Sequence, residues 1–110
     1  MYENTFPNRR FQHTLSFLLK HIPTEESILD LGVPNPFSKI MTEQGYSIEN
    51  TKGEDLDVDF ATVRKSRAKV VTAFEIFEHL LAPFNVLREI KADHLVASVP
   101  LRLWFSSAYR

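Results

Sequence analysis

The chain contains no cysteine, which excludes disulfides, thiolate nucleophiles and cysteine-ligated metal sites. It also lacks the apolar core of a leader: the start, "MYENTFPNRR", is polar, and no later run is long enough to span a bilayer. No internal repeat and no low-complexity linker interrupts it. A dominant charge is missing too. The formal net is −1, from 13 basic and 14 acidic residues, so there is no general pull toward nucleic acid or anionic lipid. Together these absences predict a cytoplasmic protein with neither nucleic acid nor membrane as partner. A length of 110 residues accommodates one domain, spanning 1–110, and is too short for two.

What is present alternates between two periods. "FQHTLSFLLKHI" sets Phe11, Leu15, Leu18, Leu19 and Ile22 at helical spacing, and Pro23 ends the run. "SILDLG" reads as a short buried strand. "PFSKIMTEQ" reads as a helix with Asn35 as N-cap, Pro36 at its first position, Gly45 at its stop, and Phe37, Ile40 and Met41 inward. "YSIENT" is a second strand, "GEDLDVDF" an acidic loop, and "TVRKSRA" a helical turn or two. "KVVTAF" is a β-branched strand. "PFNVLREIK" is a helix started by Pro83, with Phe84, Leu87 and Ile90 inward. "HLVASVP" is a last strand, and "LRLWFSSAYR" an apolar tail. Strands alternating with helices predict an α/β fold built on a parallel sheet with helices packed on its faces. Ligands of such sheets sit beyond the carboxyl ends of the strands, near the switch in strand order. Asp30-Leu31-Gly32 and Phe74-Glu75 both fall at those ends.

An acid closing a buried strand can accept hydrogen bonds from a ligand, and a glycine behind it lets the backbone turn tightly and approach closely. The bland alternative is a structural turn. With the second constellation, "VVTAFEIFEHLLAPFNVLREI", and "LVASVP" after it, the chain from about Phe11 to Pro100 resembles the class I S-adenosylmethionine-dependent methyltransferases. Their first motif is an apolar strand followed by D-x-G-x-G-x-G, and the second constellation is similar to their fourth strand and following helix. The resemblance implies a mostly parallel, Rossmann-like sheet with helices on both faces. It also implies S-adenosylmethionine as cofactor and a small-molecule methyl acceptor. Position by position, it puts Asp30 and Gly32 beside the methionine part of the cofactor. Asp57 of the acidic loop (favoured over Asp55) falls in the region that contacts adenine, and Phe74 and Glu75 line the pocket near the methionine moiety.

Three departures accompany the match. Pro34 and Pro36 stand where the motif has its second and third glycines, removing two N–H donors and adding rings where close approach is needed. A pyrophosphate site could not bear that loss, but the methyl donor has no phosphate. After the second strand, Lys52 stands near the place of the acid that meets the ribose, with Glu49 and Glu54 nearby. Finally, the chain stops soon after the family's fifth strand, without the usual last strands. That predicts an incomplete domain: a truncated product, a stable fragment, or a subunit completed by another chain, with a homodimer as one way to cover the open sheet edge.

Other readings compete. Glu75, Glu78 and His79, if helical, have the spacing to hold a divalent metal; the competing role is capping of the turn, and no metal is assigned. His79 could serve as a general base, yet methyl transfer from a sulfonium needs chiefly alignment, so no catalytic residue is named. His13, His21 and His94 have no matching partners in sequence and read as surface or helix residues. The basic run "VRKSRAK" reads as an exposed helix face beside the acidic loop. The functional alternative to an enzyme is the same fold with a proline-blocked loop, kept as an interaction or assembly module.

Overall fold

A computed structural model describes residues 5–99 of the chain. The tail residues Leu103, Trp104, Phe105 and Tyr109, and Pro100 of the last predicted strand, lie outside the described residues. Along the described chain the elements run α1 (Thr5–His21), β1 (Ser27–Asp30), α2 (Pro36–Glu43), β2 (Ser47–Asn50), α3 (Ala61–Lys65), β3 (Val70–Phe74), a 3-10 turn (Phe77–His79), α4 (Pro83–Glu89) and β4 (His94–Ser98).

Local chemistry accounts for most of these boundaries. α1 ends with Lys20 and His21, cations suited to a helix carboxyl end, before Pro23. α2 is fixed at its start by a capping box. The Asn35 side chain accepts from the N–H groups of Phe37 and Ser38, while Ser38 answers to the Asn35 backbone. Pro36 occupies the first helical position. Gly45 follows at φ +110°, a conformation that favours glycine. β3 joins valines and alanine into a strand whose first four residues are all buried.

The four strands form one sheet in the order β2-β1-β3-β4, and every pairing is parallel. Asp30 lies opposite Asn50 on one side and Thr72 on the other, and Phe74 lies opposite Ser98. α1 and α2 cover one face with Leu18, Ile22, Ile28, Phe37, Met41, Tyr46 and Val70 between them. α3, α4 and the acidic loop cover the other, around Leu29, Leu31, Leu56, Val63, Val71, Ala73 and Val86. The fold is therefore α/β, with an all-parallel sheet and helices on both faces, and the switch in strand order falls between β1 and β3. Along the described chain no strand separates β2 from β3; the acidic loop and α3 make that connection. No described helix is long and apolar enough to cross a membrane.

Two side chains differ from the expected helix faces. Leu19 is 45% exposed, because the inward stripe of α1 follows Leu18 and Ile22. Phe84 is 77% exposed while Val86 is wholly buried. Two residues of helix turn the side chain by roughly 200°, so Val86, and not Phe84, faces the sheet with Ile90.

Candidate functional site

The first corner is built by Asp30, the last residue of β1. Its Oδ1 accepts from the Thr72 hydroxyl at 2.7 Å and its Oδ2 from the Asn50 amide at 3.2 Å. The same Asn50 amide lies 3.0 Å from the Gly32 carbonyl, and the Leu31 N–H donates to the Thr72 carbonyl at 2.8 Å. Asp30 is 2% exposed, and burial raises its pKa against the opposing pull of hydrogen bonds from Thr72, Asn50 and Asn35. The carboxylate thus braces β2, β1 and β3 together at their carboxyl ends. Gly32 turns the chain at φ +116°, and its N–H donates to the Thr51 hydroxyl at 2.6 Å. A Cβ on Gly32 would meet Ile76 Cδ1 at 3.4 Å.

The loop that follows keeps its donors for itself. Asn35 N–H donates to Ser38 Oγ at 2.8 Å, and the N–H groups of Phe37 and Ser38 donate to Asn35 Oδ1 at 2.9 and 3.0 Å. Pro34 and Pro36 have none to give. The start of α2 therefore offers a phosphate no such grip as helix starts usually do. On its outer side an open groove of about 410 Å³ runs between α2 and β2, lined by Pro34, Pro36, Lys39, Ile48 and Asn50 among others.

The second corner follows β3. Phe74 packs edge-on against Phe37 with ring centroids 5.2 Å apart, and Phe37 lies the same distance from Phe11. Glu75 holds φ 60°, the left-handed region that a non-glycine residue rarely adopts. Such a conformation costs about 1–3 kcal/mol and tends to persist where function requires it. Its N–H donates to the Ser98 carbonyl at 2.8 Å, and its carboxylate meets Arg10 of α1 at 2.7 Å. Ile76, next in line, reaches back toward Gly32. The Asp30-Gly32 and Phe74-Glu75 corners accordingly adjoin at the switch point.

Asp57 stands elsewhere. Its carboxylate accepts from the N–H groups of Leu81 and Ala82 at 3.0 and 2.8 Å, fastening the acidic loop to the start of α4. Ala82 has no side-chain cap of its own, and Asp57, 25 residues before it, holds the two N–H groups that lead into the helix. Lys52 donates its backbone N–H to Glu54. Glu78 and His79 approach each other at 3.6 Å in the 3-10 turn, whereas Glu75 is turned to Arg10. Among the described residues no three His, Asp or Glu side chains gather as a metal site would require. In the basic run, Arg64 pairs with Glu89 at 2.7 Å and lies over the Phe60 ring, tying α3 to α4.

The residues that complete these corners, Thr72, Asn50, Thr51, Arg10 and Ile76, escape a sequence reading. Only Thr72 carries a local signal, as the one polar residue inside "VVTAF". His21 and His94 line one hollow of about 430 Å³ beside Phe17 and Leu95, and His13 lines its neighbour. No family model, curated protein or solved structure matches this chain.

Proposed function

We propose that the chain is a methyltransferase-like domain that holds S-adenosylmethionine over the carboxyl ends of β1 and β3 and serves methyl transfer to a small-molecule acceptor in the cytoplasm. The observation that carries this reading is the meeting of two left-handed corners, Gly32 and Glu75, at the strand-order switch of an all-parallel sheet. The loop favours a ligand without phosphate, since the N–H groups of Gly32, Asn35, Phe37 and Ser38 are engaged within the chain and Pro34 and Pro36 have none. Asp30 would act from behind, through the backbone that it braces, while Phe74 and Glu75 border the ligand's methionine part. Asp57 would bear on the adenine side only through the loop it fastens. The cofactor supplies a methyl group already activated on sulfur, so the chain's own task is alignment.

Calorimetry with S-adenosylmethionine and S-adenosylhomocysteine tests the reading. Micromolar binding is expected, weakened by Asp30→Ala, with circular dichroism checking that the variant stays folded. Absence of heat from a folded wild type would overturn it.

A second reading has an observation of its own. Both Asp30 carboxyl oxygens are engaged, and β4 leaves one edge unpaired among the described residues. This combination suits a non-catalytic module that assembles with a second copy along β4.

A further inference from the structure

Between the carboxyl half of α1 and the near face of β4 lies a hollow of about 430 Å³. Sites for small ligands run to roughly 300–1,000 Å³, so it is large enough for one. Val96 packs against the core that α1 covers, and His94, two residues earlier, shares that face of the strand. On the helix, Phe17 and His21 stand one turn apart, with ring centroids 4.5 Å from each other. Ile22 adds to the apolar wall, and His21 and His94 are the only titratable side chains that line it. Neither imidazole has a hydrogen bond or ion pair with a described residue, and both side chains are exposed. Two N–H donors able to carry positive charge thus stand beside an apolar wall that contains no acid.

We propose that this hollow binds a short aliphatic carboxylic acid, in its carboxylate form. His21 and His94 hold the carboxylate between them through charge-assisted hydrogen bonds, and the chain lies along Phe17, Ile22 and Val96. An amine would find no acid to meet it. A metal ion would lack ligands, since no third His, Asp or Glu among the described residues joins the pair. Lys20 adjoins His21, Asp93 precedes His94, and the Lys69 carbonyl accepts the His94 backbone N–H. None of these three side chains lines the hollow. Nor does the hollow include a residue of the Gly32 or Glu75 corner, so the proposal goes beyond the methyl-donor reading and does not rest on it.

The test is a chemical-shift titration of the full chain with hexanoate, hexanol and hexylamine at about pH 6, where imidazole carries charge. Hexanoate is expected to saturate and to shift the ring signals of His21 and His94 together. Hexanol and hexylamine, of equal chain length, should bind about tenfold more weakly, the equivalent of one charge-assisted bond. At about pH 8 hexanoate should weaken by a similar factor while hexanol stays unchanged, because imidazole gives up its charge across that range. His21→Gln and His94→Gln should each reduce the preference for hexanoate over hexanol. Both positions are exposed, so the circular dichroism of each variant should match the wild type. Lys20→Gln removes a neighbouring cation from outside the hollow and should leave binding intact. Equal binding of the three ligands, no saturation by hexanoate, histidine variants that keep the preference, or an equal loss in Lys20→Gln would overturn the proposal.

Discussion

Asp30 shows how one buried carboxyl sets a local stability balance. Its pKa lies above 3.8 because burial disfavours the charge, with hydrogen bonds from Thr72, Asn50 and Asn35 opposing that shift. A carboxyl with a higher pKa folded than unfolded binds its proton more tightly in the folded chain. Its stabilising contribution is then fully present below the unfolded pKa and is lost as pH rises through the folded one. Relative to Asp30→Asn, the wild type should therefore lose stability as pH is raised from 3.8 to the elevated folded value, and level off above it. Urea unfolding across that window checks the sign. Asp30→Ala is a harsher change at any pH. It leaves the buried Thr72 hydroxyl without its acceptor, at a cost of about 1–3 kcal/mol.

At the scale of elements, α2 carries its own instructions, and they can be tested one at a time. Asn35→Ala removes the acceptor for two N–H groups and should cost about 0.5–2 kcal/mol in urea unfolding. Ser38→Ala should cost less, because the Asn35 side chain still caps the helix. An equal loss from both variants would mean that the reciprocal bond is as important as the cap. This helix was legible because Asn35, Pro36 and Gly45 act within one turn of its ends. β3 was legible because "VVTAF" is buried on both faces. On α4 the expected face differs at Phe84, since Phe84 and Val86 are equally apolar and only the packed sheet decides between them, whereas Ile90 packs inward as expected. The same limit hid the partners of the corner residues. Arg10 lies 65 residues from Glu75, and Thr72 lies 42 from Asp30. Asp57 holds the lead-in to a helix 25 residues on. No local period or spacing encodes such pairs; the sheet order does, and it emerges only when the strands assemble.

For the whole molecule, strand and helix alternation determined the layers, and parallel pairing followed from connections that each carry a helix. What alternation does not decide is how the sheet's edges are finished. β4 pairs with β3 on one side, and among the described residues nothing pairs with the other. Proteins usually blunt such an edge with lysine, proline or a bulge. The strand His94–Ser98 contains neither lysine nor proline, and Leu95 and the adjacent Val99 are 41% and 49% exposed. An antiparallel two-fold pairing of β4 with its copy would continue the sheet across both chains and cover these side chains. Multi-angle light scattering at tens of micromolar should then return twice the monomer mass. Leu95→Lys, which puts a charge into that pairing, should return the monomer while keeping the circular dichroism of the fold. A wild type that stays monomeric across the concentration range would remove the copy as occupant of this edge. It would leave both corners at the carboxyl ends unaffected, because Asp30, Gly32 and Glu75 are all positioned by contacts within one chain.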